Sequence, residues 1–78
     1  MLTQAMSMWT VYDSPSDMPG HFVARRFEIT RHGSQPTDEY MSGQNLDMLR
    51  DLLTTLHPGL VCIPRSEQDE PHIVEVWL

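Results

Sequence analysis

Hydrophobic residues are concentrated in two early segments of the chain, and their aromatic and β-branched types predict β-strands. Residues 8–12 are rich in aromatic and β-branched side chains, and residues 21–31 form a longer segment of the same kind. Between them, residues 13–20 contain two prolines, a glycine and short polar side chains, the composition of a turn. The apolar residues of the second segment do not share one face. We therefore expect either a bulge near Ala24 and Arg25 or burial of both faces at one end.

A third strand and a helix are predicted next. Residues 32–36 predict a turn, and residues 37–42 predict a weaker strand because the segment carries two carboxylates. The helix is expected to begin after Asn45, a favourable N-cap, with Asp47 in its first turn, and to end before the Pro-Gly pair at 58–59. Its leucines recur at the spacing of a single buried stripe, which comprises Leu46, Leu49, Leu52, Leu53 and Leu56.

Two more strands, separated by a polar loop, complete the predicted fold. Residues 60–63 are continuously apolar, which predicts a central position in the sheet, residues 64–71 are polar, and residues 72–78 alternate again. The order β-β-β-α-β-β predicts a small two-layer α+β domain, in which one amphipathic helix covers a mostly antiparallel sheet. We expect residues 1–7 to form a flexible N-terminal tail and residues 8–78 to form a single domain.

Acidic residues dominate the charge of the chain. Eleven Asp and Glu stand against five basic residues, all of them Arg, which gives a formal net charge of −6. Residues 1–34 are neutral by count, so the whole excess lies in residues 35–78. This balance excludes a nucleic-acid binder of the usual basic kind. No apolar run approaches the roughly 18 residues of a membrane-spanning helix, and the first residues do not resemble a secretory leader, so we expect a cytoplasmic protein.

Few side chains indicate catalysis or metal binding. Cys62, the single cysteine, lies in an apolar segment, and we interpret it as a buried small hydrophobe. The four histidines lack the close spacing of a metal site. The chain has no nucleophile motif and no phosphate-binding glycine loop. We therefore expect a protein that is not an enzyme and that has no cofactor and no metal.

Two groups of charged residues are candidate binding surfaces. The first is acidic, since two carboxylates lie one helical turn apart and others precede the helix or lie in the polar loop. The partner-binding residues predicted on this basis are Asp38, Glu39, Asp47, Asp51, Glu67, Asp69 and Glu70. The alternative function is a weak nucleic-acid binder, which would use an anion-binding strand with a stacking aromatic side chain, formed by Arg25, Arg26, Arg31 and Trp9.

The acidic surface favours a small protein-binding module whose partner has a basic surface. In a sharper form, the module inhibits a nucleic-acid-binding protein, because carboxylates one helical turn apart are spaced much as successive phosphates are. An acidic surface that only confers solubility is one alternative. Another is a homodimer that pairs through the C-terminal strand, where the pattern predicts exposed Ile73 and Trp77 at a sheet edge.

Several segments resemble a family of short uncharacterised bacterial proteins. The resemblance lies in residues 8–13 (MWTVYD), 22–28 (FVARRFE), 64–66 (PRS) and 73–78 (IVEVWL). It implies a single-domain bacterial protein and carries no activity. In size and charge, the chain also resembles anti-CRISPR proteins and other inhibitors encoded by phages and mobile elements, a resemblance that implies no specific site residues.

Overall fold

The computed structural model describes residues 6–65 and 71–78 of the chain. Five strands and one helix follow each other as β1 Met6–Asp13, β2 Phe22–Thr30, β3 Gly33–Gly43, α1 Leu46–Leu56, β4 Cys62–Pro64 and β5 Ile73–Trp77. This order and the two-layer α+β architecture are those that the sequence predicts.

The strands form one sheet in the order β3-β2-β1-β5-β4, and every neighbouring pair is antiparallel. The central strand β1 begins at Met6, so Met6 and Ser7 are not part of a tail, because they pair with Ile29 and Glu28 of β2. Residues 1–5 lie outside the described residues.

The β2–β3 hairpin is tighter than the sequence predicts. Thr30 pairs with Gly33, which leaves only residues 31–32 as a turn, and β3 therefore begins four residues before the predicted start at residue 37. Gly33 has a φ of 110°, a conformation that side-chain-bearing residues rarely adopt. Pro36 is tolerated because β3 is an edge strand, where a missing N–H breaks no inner pairing.

The core lies between α1 and one side of the sheet, which we call the helix face. Its buried residues are Trp9, Val11, Ala24, Leu49, Leu53 and Trp77. On β2, the consecutive residues Val23 and Ala24 are both fully buried although they point to opposite faces. The pairing of β2 with β3 also shifts register between Arg25 and Phe27. Burial of both faces at one end is thus confirmed. The predicted bulge in β2 is not found, because β2 pairs with β1 without a shift and the extra residues opposite Arg26 are residues 37–39 of β3.

The two C-terminal strands lie at positions other than those predicted. The apolar segment 60–63 was expected at the centre of the sheet, but β4 is an edge strand, and its three residues are exposed. Conversely, β5 is not an edge strand, because it pairs with β1 on one side and with β4 on the other. Ile73 is half-buried and Trp77 is buried, so the prediction that both are exposed at an edge is wrong.

Candidate functional site

The exposed side of α1 carries two parallel rows of side chains. Met48, Leu52 and Leu56, spaced four residues apart, are 57%, 39% and 56% exposed. Asp47 and Asp51, also four residues apart, form the second row beside the first. We call these five residues the outer α1 surface. It presents an apolar stripe bordered by carboxylates.

The local sequence determines where α1 begins and which of its faces packs on the sheet. The Asn45 side-chain oxygen accepts a hydrogen bond from the Met48 backbone N–H at 2.8 Å, which confirms the predicted N-cap. Leu49 and Leu53 are fully buried and direct the helix toward the core. Leu46 is partly buried against the same core, whereas Leu52 and Leu56 are exposed, so the prediction of one buried stripe of five leucines is wrong for these last two.

The carboxylates of the outer α1 surface are weakly compensated. The Asp47 side chain is 93% exposed, and its nearest cation is Arg50, one turn later, at 3.8 Å. An exposed pair at that distance contributes little, and Arg50 directs its stronger bonds elsewhere. Asp51 is exposed on the same row. Asp47 also lies in the first turn, where the helix dipole favours a negative charge.

Two of the other predicted acidic residues are described, and both lie on a strand rather than on α1. Asp38 and Glu39 lie on the edge strand β3 and are exposed. Glu39 is partly neutralised, because one of its carboxylate oxygens lies 3.3 Å from Arg26. The remaining predicted contacts lie outside the described residues and are Glu67, Asp69 and Glu70.

The alternative anion-binding group is not assembled by the fold. Trp9 is only 2% exposed, since it lies under α1 with its ring 5.2 Å from the ring of His57, so it offers no surface for a base. Arg25 and Arg26 point to opposite faces of the sheet. Arg25 forms an ion pair with a carboxylate of the β1–β2 turn, and Arg26 pairs with two others. Only Arg31 lies exposed, at the hairpin turn.

A buried carboxylate that sequence reasoning missed lies beneath α1. Glu75 accepts two hydrogen bonds from Arg50, at 2.6 and 3.1 Å, and a third from the Trp77 indole N–H at 2.7 Å. Burial alone raises the pKa of Glu75, but the bonds from Arg50 and Trp77 outweigh it, so the pKa lies below its ordinary value. Glu75 in turn raises the pKa of Arg50. This network joins the helix to the sheet.

Cys62 is exposed rather than buried, because β4 lies at the sheet edge. The thiol is nevertheless partly desolvated, and this desolvation and the neighbouring Glu75 raise the pKa of Cys62, which disfavours the reactive thiolate. Within the described residues, no group of three His, Cys, Asp or Glu side chains could hold a metal ion. The helix described here is too short to cross a membrane.

Comparison of the chain with protein-family models, with curated proteins and with solved structures finds no match. The resemblances to short bacterial proteins and to phage-encoded inhibitors therefore stay predictions, and the geometry of the outer α1 surface carries the functional argument.

Proposed function

We propose that the protein is a small non-enzymatic binding module that engages a basic, partly apolar surface of a protein partner through the outer α1 surface. The observation that carries the proposal is the apolar stripe of Met48, Leu52 and Leu56 beside the weakly compensated Asp47 and Asp51. Solubility alone would be served by the carboxylates without the stripe. An exposed apolar row on a helix is also a common way to dock into a partner.

The arrangement specifies the chemistry of the partner. Apolar contact area supplies affinity, while charges at the rim set the association rate and exclude wrong partners. The partner surface that would match the outer α1 surface is an apolar strip flanked by Arg or Lys. Because Asp47 and Asp51 carry their charge beside an apolar row, a mixed protein interface accounts for the surface better than imitation of a phosphate backbone does.

Affinity capture with matched variants tests this proposal. The immobilised protein is exposed to a lysate of the organism that encodes it, and captured proteins are quantified at low and at high salt. Asp47→Asn/Asp51→Asn and Leu52→Ser should each lose the same basic proteins that the wild type retains. Ser16→Lys/Ser34→Lys changes the net charge by the same amount but leaves α1 intact, and it should retain them. Capture that is equal in all four proteins would refute the proposal.

A second arm of the experiment tests the sharper, inhibitory form of the proposal. A DNA oligonucleotide is added to the captured complexes. Displacement of a partner that also depends on Asp47 and Asp51 supports a module that occupies a nucleic-acid groove. Retention of that partner in the presence of DNA refutes the inhibitory form and leaves the binding module in place.

A further inference from the structure

The side of the sheet that faces away from α1 is unusually apolar. In antiparallel pairs, directly opposed residues point to the same face, so the register defines this side, which we call the open face. One row crosses all five strands through Tyr40, Arg25, Thr10, Val76 and Ile63.

The next row of the open face pairs Met8 with Phe27. Both of these side chains and Val76 are half-buried, while Tyr40 and Ile63 on the edge strands are 55% and 43% exposed. Thr10 and Val23, which also lie on the open face, are 4% and 0% exposed, so the chain itself already covers that part of the face. Apart from Arg25 and Thr10, the residues named in these two rows are apolar.

An antiparallel sheet with one face in water normally alternates apolar residues inside with polar residues outside. Here most of the outward positions are apolar, and α1, the one helix among the described residues, lies on the other side of the sheet. Monomeric proteins rarely expose contiguous apolar patches larger than a few hundred Å². The open face thus has the composition of a covered surface.

The distribution of charge indicates which partner covers the open face. On β2, β1, β5 and β4, the described positions of the open face include one charged side chain, Arg25, which is paired with Asp17 and lies 6.0 Å from the centre of the Tyr40 ring. The chain as a whole carries a net charge of −6, so two copies repel each other through most of their surface. Contact through the open face avoids this repulsion, because it turns Asp47 and Asp51 of each copy outward.

The size of the open face fits a modest dimer. Five strands spaced about 4.8 Å apart span about 24 Å, and eight residues at about 3.4 Å each extend about 27 Å. The plan area is then at most about 650 Å², below the roughly 800 Å² of accessible surface that each partner of a standard interface buries. A weak, concentration-dependent dimer is the expected outcome.

We infer that the chain forms a twofold homodimer in which two open faces pack against each other, sheet on sheet, with both α1 helices outside. This arrangement differs from the pairing through the C-terminal strand that the sequence predicts, since β5 is already paired on both sides. Packing of apolar faces also predicts that added salt does not dissociate the dimer.

Sedimentation equilibrium across micromolar to millimolar concentrations tests the dimer. The wild type should move from monomer to dimer, and Ile63→Lys should weaken the dimer by at least about tenfold, because it places a charge in the apolar contact. Leu56→Lys is the matched control, since Leu56 is also an exposed aliphatic residue, at 56% against 43% for Ile63, but lies on α1. Circular dichroism verifies that both variants fold. A wild type that stays monomeric at millimolar concentration, or equal weakening by both variants, would overturn the inference.

A cross-linking experiment separates face packing from edge pairing. Met8→Cys in a Cys62→Ser background places one thiol on the central strand β1. Stacked sheets lie about 10 Å apart, whereas edge-to-edge pairing would keep the two β1 strands about 24 Å apart. A bis-maleimide with a reach of about 10 Å should therefore link the two copies. A dimer by sedimentation that resists this cross-link contradicts face packing.

Discussion

Replacing Arg50 with methionine removes the cation from a carboxylate that the fold almost completely encloses. The Glu75 side chain is 4% exposed, whereas that of Arg50 is 42% exposed. Methionine preserves an apolar stem of similar reach but donates no hydrogen bond. In Arg50→Met, Glu75 therefore loses both hydrogen bonds from the guanidinium and keeps the Trp77 indole and the Cys62 thiol as donors.

The expected cost at neutral pH follows from the environment of the pair. Removing one partner of a fully buried ion pair costs about 3–5 kcal/mol. Because Arg50 is partly in water, solvent screens the pair and can approach the orphaned Glu75, so we expect about 2–3 kcal/mol instead. A 78-residue domain has a free energy of unfolding of about 4–12 kcal/mol, so the variant should fold but should be clearly weakened.

The dependence of this cost on pH is the diagnostic feature. In the wild type, the lowered pKa of Glu75 stabilises the fold above the unfolded-state pKa of about 4.5, and this contribution is lost as the pH falls through the folded-state pKa. Without Arg50, the effect of burial on the carboxylate outweighs the remaining hydrogen bonds. The pKa of Glu75 in the folded variant should therefore rise above its value in the unfolded chain. Lowering the pH from 7 toward 5 should then reduce the loss of unfolding free energy that Arg50→Met causes. The unfolding free energy of the wild type should stay nearly unchanged over the same range.

Urea unfolding followed by tryptophan fluorescence measures the effect, since Trp9 and Trp77 are both buried in the core. Arg31→Met is the matched control, because it removes the same charge from an exposed turn. Its cost should stay below about 0.5 kcal/mol at both pH values. The reasoning is refuted if Arg50→Met costs no more than the control at pH 7, or if its cost grows on acidification.

Three smaller predictions concern the cap, the helix packing and the thiol. In urea unfolding, Asn45→Ala should cost about 1 kcal/mol, and Asn45→Asp should retain most of the stability; equal losses would argue against capping. Leu53→Ala should lower the free energy of unfolding by about 2–5 kcal/mol because Leu53 is buried, and Leu52→Ala should lower it by less than about 1 kcal/mol because Leu52 is exposed. The reverse order would contradict the orientation of α1. Iodoacetamide should alkylate Cys62 more slowly than free cysteine at pH 7.5, and Glu75→Gln should accelerate the reaction; unchanged rates would contradict the raised pKa of the thiol.

The helix shows which part of the fold its own sequence encodes. Asn45 and the spacing of the leucines are local signals, and both the cap and the helix are found where those signals predict them. Burial is not a local property, because it depends on what lies opposite each side chain. Leu49 and Leu53 are fully buried against the sheet and Leu46 is partly buried there, whereas Leu52 and Leu56 are exposed and belong to the outer α1 surface.

Strand order is the information that the sequence pattern lacked. The apolar segment that contains Cys62 is compatible with a central strand. In the structure, β4 pairs with β5 and with no other described strand, and this places it at an edge. The alternation of β5 similarly leaves open which of its faces is inside. The register of β5 with β1 places Glu75 opposite Val11, on the helix face. Arg50, 25 positions earlier in the chain, hydrogen-bonds this carboxylate and so offsets the free-energy cost of burying its charge.

The two proposed surfaces lie on opposite sides of each chain, and this makes their functions separable. A dimer formed through the open face leaves both outer α1 surfaces free, so it can bind a partner twice and gain avidity wherever that partner offers two sites within reach. Ile63→Lys should then keep single-site binding but lose the added avidity, while Leu56→Lys should lose partner binding but remain dimeric. If Ile63→Lys instead abolished single-site binding, the open face itself would be the partner surface, because a charge at that position leaves the outer α1 surface intact.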